Sequence, residues 1–324
     1  MLLLTGATGL IGSVVLRHLV AEGSEVRCLV RDPRRLGAQR VRVQIALGDL
    51  TDPPSFRNAL RGVHTVVHLA ASIRDQPGGS IEELNGIATW RMVEAAERLG
   101  VERFVFFSAL GASTHQRARS LRAKALAEQA VREARLSTTV FAPSIVYAPG
   151  DHWLTLLERL ALLPVMPVSG RGRAVYEPIW AEDVADCVIA SLRARSGEDR
   201  SVGERSASGR RRPGRDPVEI GGSAVEGGGH ERYELAGPEK LSHDDIVRAV
   251  LRSLNRNRPL LHVPTSIVSR MLRLIEVLWG PRAFATWDEA ELMEVPMIST
   301  RGTADAESLG VAPRRMGAVL GVPG

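Results

Sequence analysis

Short apolar runs alternate, along the first half of the chain, with segments in which apolar residues recur every three to four positions. Leu2–Leu4, Val26–Val30, Val41–Ala46, Thr65–Leu69, Phe104–Phe107 and Thr138–Phe141 read as strands. Between them, about Ile11–Glu22, Pro54–Leu60, Ile81–Leu99 and Arg117–Ala134 read as helices. Strands that are apolar on both faces and separated by helices predict a parallel sheet covered on both sides. Because such crossovers are right-handed, the expected architecture is an α/β fold with a doubly wound parallel sheet.

The pattern changes between about Arg195 and His230, a stretch crowded with Gly, Ser, Arg and Glu that carries almost no large apolar residue. It has too little apolar surface to offset the entropy of ordering, which predicts a flexible insertion over 195–230. Order resumes at Tyr233–Pro238. A helix is expected after Ser242, a capping residue, with Ile246, Val250 and Leu254 at helical spacing, and another after Pro264. The predicted organisation is a sheet domain over 1–194, the insertion over 195–230 and a smaller C-terminal domain over 231–324. No internal repeat is present.

The strongest chemical signal lies directly after the first strand, in Thr5-Gly-Ala-Thr-Gly-Leu-Ile-Gly12. Gly6 suits a tight turn, Gly9 lets backbone approach a pyrophosphate, and Gly12 allows close packing of the following helix. The helix start then offers N–H groups and a positive dipole end to phosphate. In this context Gly6, Thr8, Gly9, Leu10, Ile11 and Gly12 are assigned to a dinucleotide, making the sheet a Rossmann-type domain that holds NAD(P)(H). The second strand ends Cys28-Leu-Val-Arg-Asp32, followed by Arg34 and Arg35. Arg31 and Arg35 suit a ribose 2′-phosphate and favour NADP(H). Asp32, which could read unphosphorylated ribose, keeps NAD(H) as the alternative.

Composition changes this picture little. The 324 residues include 42 Lys+Arg against 37 Asp+Glu, a net charge of +5. Most arginines are interspersed with acids, with one real cluster at Arg210–Arg212, so nucleic acid is disfavoured as a partner. The cysteines, Cys28 and Cys187, lie far apart in apolar segments and predict buried free thiols; no metal site is expected. The start of the chain leaves no room for a secretory leader and no apolar run would span a bilayer, so the expected compartment is the cytoplasm.

Further segments extend the glycine motif into a resemblance. These are Gly48-Asp-Leu50, His68-Leu-Ala-Ala71, Asn85 in the following helix, Phe104–Ser108, Ala142–Asp151, Glu182–Ala185 and Tyr233–Pro238. With them the chain resembles the extended and atypical branches of the short-chain dehydrogenase/reductase superfamily, including NAD-dependent epimerase/dehydratase and NmrA-like proteins. It is also similar to the nucleotide-binding accessory subunits of respiratory complex I and their bacterial relatives. The resemblance implies that Asp49 and Leu50 contact adenine, that Leu69, Ala70 and Ala71 line the pyrophosphate and nicotinamide ribose, and that Lys124 holds ribose hydroxyls. Read without it, Asp49 is a cap for the following segment and Lys124 a solvated charge.

The same family pairs a tyrosine with a lysine four residues later, the lysine's charge easing proton transfer by the phenol. Here Ser120 stands four residues before Lys124, and only Ser108 marks the family's hydroxyl after the fifth strand. The candidate catalytic set is therefore Lys124, Asn85, Ser108 and the loop residue His115, with Tyr147 as a packing aromatic or a substitute acid. The helix from Pro264 to Gly280 carries Arg270 and Arg273 beside an apolar face that suits a core, a quinone, a peripheral membrane contact or a partner subunit. Two functions follow. One is a redox-related, oxidoreductase-like protein acting on a small-molecule substrate or quinone without the usual Tyr and Ser. The other is a non-catalytic NADPH-binding sensor or assembly subunit.

Overall fold

The computed structural model describes residues 1–207, 229–279 and 286–322, with side chains omitted for 195–207 and 276–279. Its centre is a parallel sheet of seven strands: β1 (Leu2–Thr5), β2 (Val26–Val30), β3 (Gln44–Leu47), β4 (Thr65–His68), β5 (Arg103–Phe107), β6 (Ser137–Pro143) and β11 (His230–Leu235). Their spatial order is β11-β6-β5-β4-β1-β2-β3, and the short strands that fall between β6 and β11 in the chain, β7 (Val146–Tyr147), β8 (Met166–Ser169), β9 (Val175–Tyr176) and β10 (Ile179–Trp180), pair outside this sheet. Successive residues of β1 explain the two-sided cover. Leu2 and Leu4 enter one core with Val26, Cys28 and Val105, whereas Leu3 enters the other with Val66, Phe104 and Phe106. The two-residue period of a strand sends alternate side chains to opposite faces, and both faces are apolar here.

Helices α1 (Leu10–Ala21) and α6 (Ala181–Ala207) cover the first face; Leu16 and Leu19 of α1 pack there with Val184 and Val188 of α6. The second face is covered by α2 (Pro53–Arg57), α3 (Ala88–Arg98) and α4 (Arg119–Arg132), through residues such as Phe56, Met92 and Val131. The doubly wound Rossmann-type sheet expected from the pattern is thus present. The third strand starts later than its apolar residues suggest: Asp32 caps a 3-10 turn that begins at Pro33, and beyond a kink at Gly37 (φ +56°) a second 3-10 turn ends at Val41, which is 81% exposed. The predicted helix Ile81–Leu99 contains a π-helical turn, Glu83–Ile87, before α3. Cys28 and Cys187 are buried free thiols, with burial pushing both up to about 12.

Strand β11 completes the main sheet beside β6, although the pattern groups its residues with the C-terminal part. Helix α6 carries the backbone to Ala207, and residues 208–228 of the expected insertion lie outside the described residues. A third core joins α5 (His152–Leu160), α7 (His243–Ser253) and the segment around Met297, with Tyr147 and Tyr176 fully buried in it. Ser242 caps α7 through a reciprocal box with Asp245. Helix α8 (Thr265–Trp279) buries Leu272 against Ala290 and Trp287 of α9 (Trp287–Leu292), while Ile267, Met271 and Leu274 are exposed. Among the described residues, no helix is long and apolar enough to cross a membrane.

An ionic cluster ties α9 to the loop after β4. Arg119, at the start of α4, donates to Asp75 at 2.9 Å, Glu82 at 2.6 Å and the buried Asp288 at 3.2 Å, and Arg74 pairs with Glu289. The hydrogen bond from Arg119 holds the Glu82 carboxyl down at about 2. Arg119→Ala is therefore expected to cost about 2 kcal/mol, by removing the guanidinium that Asp75, Glu82 and Asp288 share. The loss should shrink as pH falls from about 4.5 toward 2, where Glu82 protonates, and urea denaturation of both proteins across that window checks it.

Candidate functional site

The carboxyl ends of β1, β2, β3 and β4 open onto one cleft of about 370 Å³. It lies where strand order reverses between β1 and β4, the position at which open parallel sheets bind ligands. The glycine turn forms its floor. Gly6 has φ +72°, and a Cβ there would stand 2.5 Å from the Ala70 nitrogen. A Cβ at Gly12 would stand 2.1 Å from the Gly6 carbonyl oxygen, so the third glycine serves contact between helix and turn. At Gly9 the added atom would meet only that same oxygen, at 3.3 Å. Gly9 is also the N-cap of α1, without a side-chain cap and without an acid in the first turn. A helix start left bare by side chains and opening on a cleft is a bay for an anion.

The walls come from the other strand ends. Leu29, Val30, Arg31, Asp32 and Arg35 line one side, Gly48, Asp49 and Leu50 the next, and Leu69, Ala70, Ala71 and Ser72 the side nearest β4. Asp49 accepts from the Thr51 amide at 3.0 Å and the Thr51 hydroxyl at 2.9 Å, closing its own turn. Its other oxygen lies 4.0 Å from Arg31. Asp32 accepts from the Arg34 amide at 2.9 Å, so one of its oxygens is engaged in capping. Thr8 belongs to the lining, whereas Leu10, Ile11 and Gly12 stand behind it in the first turn of α1. Bare glycine backbone, a helix start and arginines at the rim fit a dinucleotide.

The four candidate catalytic residues are not gathered in this cleft. Ser108 is buried and donates its hydroxyl to Glu128 at 2.6 Å. Lys124 donates to the carbonyls of Phe107 at 2.7 Å and Ser108 at 3.2 Å, and burial brings it down to about 8. Asn85 is buried and clasps the Ser72 backbone, accepting from its amide at 2.7 Å and donating to its carbonyl at 2.6 Å. His115 is exposed, near Thr114 at 3.3 Å, and lines no part of the cleft. Burial raises the Tyr147 phenol well above its ordinary value, with Asp183 and Glu239 adding to the effect. The buried group that residue-by-residue reading passed over is Glu128. Its signal was present, one helical turn after Lys124 on the same face of α4.

Comparison with known proteins agrees with this geometry. A ceramide reductase of Caulobacter vibrioides is 31% identical over 192 residues, a match covering 59% of this chain and 60% of the reductase. Subunit 9 of the NADH dehydrogenase [ubiquinone] 1 alpha subcomplex of Mus musculus, a mitochondrial protein, is 24% identical over 95% of this chain and 75% of its own length. Among solved structures, the NADPH-dependent quinone oxidoreductase of Escherichia coli, complexed with NADPH, shares the fold with a TM-score of 0.70. It is 15% identical and covers 99% of both chains. The sequence pattern of the family described as NAD(P)H-binding matches residues 6–195, more than half of the chain, and spans the glycine turn, the strand ends and the cleft walls. The chain belongs to the NAD(P)H-binding family.

Proposed function

We propose that the protein holds NADPH as a resident ligand of a redox-related assembly, without reducing carbonyl substrates through a tyrosine-type proton relay. One observation carries this reading. The nucleotide half of the cleft is complete, while the residues at the expected relay positions are spent on the protein's own scaffold. Ser108 serves Glu128, Lys124 serves two backbone carbonyls, and Ser120 stands where a phenol would be needed. Bound nicotinamide nucleotide would supply hydride chemistry. The chain's own residues contribute an anion bay at Gly9, arginines at the adenosine end and a fixed wall at Ala70–Ser72. A ligand that binds only the folded state stabilises it by mass action, which suits a subunit or sensor. The mouse relative, a subunit of a larger complex by its name, supports association with a partner protein.

NADPH is favoured over NADH because Arg31 and Arg35 line the rim while Asp32 spends an oxygen on the Arg34 amide. The double substitution Arg31→Ala and Arg35→Ala should weaken NADPH about tenfold or more and leave NADH within about twofold. Fluorescence titration with both nucleotides checks this, and equal losses for the two would remove the phosphate-reading role. A second reading is hydride transfer to a quinone or carbonyl compound, which the ceramide reductase relative supports. Addition of quinone and carbonyl panels to the NADPH-loaded protein separates the two. Bound, unconsumed NADPH is the expected result, and steady consumption would replace the first reading with the second.

A further inference from the structure

Directly beneath the cleft, at the end of β4, His68 is 1% exposed and both of its ring nitrogens are engaged. Nδ1 lies 2.9 Å from the Thr5 hydroxyl and Nε2 lies 3.1 Å from the Thr89 hydroxyl. Each threonine reaches onward. Thr5 Oγ1 accepts from the Ala70 amide at 3.3 Å, and Thr89 donates to the Asn85 carbonyl at 2.7 Å. Asn85 in turn clasps the Ser72 backbone. Ala70 and Ser72 are cleft wall.

Donor and acceptor bookkeeping gives this chain one direction. Thr89 uses its only proton on the Asn85 carbonyl, so it must accept from His68, which puts the imidazole proton on Nε2. Nδ1 is then an acceptor, and the Thr5 hydroxyl donates to it while its lone pairs receive the Ala70 N–H. Assigned in this way, every group in the relay is satisfied once. Burial, with the Lys124 charge as a lesser cause, brings His68 down to about 3, so the ring is neutral at physiological pH.

We infer that His68, as the neutral Nε2–H tautomer, is a positioning residue: through Thr5 and Thr89 it sets the Ala70–Ser72 wall against the glycine turn and thereby sets affinity for the nicotinamide nucleotide. The close fit at Gly6 shows why small shifts matter. Space for even one carbon between Gly6 and Ala70 is lacking, so the wall and the turn keep one relative placement or the cleft changes shape. This inference rests on the cleft being the nucleotide site.

The test titrates NADPH into wild type and variants well below their melting temperatures, and measures the melting temperature of each unliganded protein separately. Thr5→Val, which keeps shape and removes the hydroxyl, and His68→Leu should each weaken NADPH about tenfold. His68→Asn can place an acceptor where Nδ1 stands, and should stay within about threefold of wild type. His68→Gln reaches toward Thr89 but not Thr5, and should fall between His68→Asn and His68→Leu. A long-range proton–nitrogen spectrum of the wild type should show His68 neutral with its proton on Nε2. Unchanged affinity in Thr5→Val, a loss in His68→Asn equal to that in His68→Leu, or a proton on Nδ1 would overturn the inference. Wild type that binds no nicotinamide nucleotide would overturn the site reading and the inference with it; intact wild-type binding with insensitive variants would overturn the inference alone.

Discussion

Gly12→Ala is expected to abolish detectable nicotinamide-nucleotide binding and to cost about 3 kcal/mol of stability. The added carbon would stand 2.1 Å from the Gly6 carbonyl oxygen and 2.8 Å from its carbon, both backbone atoms that no rotamer change can clear. Either the first turn of α1 retreats or the glycine turn shifts, and both form the anion bay. The turn itself has nowhere to go, since Gly6 is held at φ +72° and wedged against Ala70. Gly9→Ala provides the contrast, because its carbon would meet only one atom, at 3.3 Å. That variant should fold with a loss of at most about 1 kcal/mol and still bind weakly, because its methyl group would occupy the cleft floor. Fluorescence titration and urea denaturation of both variants measure the difference. Gly12→Ala binding within tenfold of wild type would refute the account of the turn.

Glu128→Ala is expected to cost about 3–5 kcal/mol. The carboxylate is 3% exposed and accepts from the Ser108 hydroxyl, from Arg132 and, at 3.0 Å, from Arg232 on β11. Arg232 also donates to Glu234 at 2.8 Å, and Glu234 accepts from Ser299 at 2.8 Å. The network therefore docks the last sheet strand against α4 and carries on to the C-terminal segment. Removing its centre leaves the Ser108 hydroxyl without its acceptor and Arg232 with Glu234 alone. The pH dependence has a definite sign. Burial pushes the Glu128 carboxyl up, but hydrogen bonds from Ser108 and Arg132 and the Arg232 charge together hold it below the ordinary range. Its contribution is therefore complete above the unfolded value of about 4.3 and is lost as pH falls from there through the lowered folded value. Urea denaturation from pH 7 to 3 should show wild type losing stability more steeply than Glu128→Gln. Parallel curves for the two proteins would contradict the network's role.

Much of the fold is legible without coordinates because its causes are local and periodic. The alternation in Leu2–Leu4, the apolar runs of β2, β4 and β5, and the capping residue Ser242 each act within a few positions. The glycine triplet is legible for a similar reason. Turn, helix start and strand end are contiguous, so the spacing of Gly6, Gly9 and Gly12 encodes one object. Strand β11 is harder, since it reaches the sheet from far along the chain, past residues whose composition carries no strand signal. Val41 shows the opposite failure, an apolar residue that ends a second 3-10 turn, after the kink at Gly37, and not the strand its neighbours suggest.

The sequence by itself determined the doubly wound sheet, the bare helix start and the arginines beside it, because backbone sterics, helix dipoles and strand alternation are properties of neighbouring residues. Only the tertiary structure decided what each polar side chain does. Ser108 and Lys124 look like chemistry in the sequence, and in the fold their hydrogen bonds go to Glu128 and to the carbonyls of Phe107 and Ser108. Asn85, a catalytic candidate in the sequence, and His68, there only part of a motif, instead hold the cleft wall, through Ser72 and Thr5. A hydrogen bond is specified by both partners at once, and those partners lie 13 to 63 residues apart. No local pattern encodes that pairing; it exists only once the strands have been laid side by side.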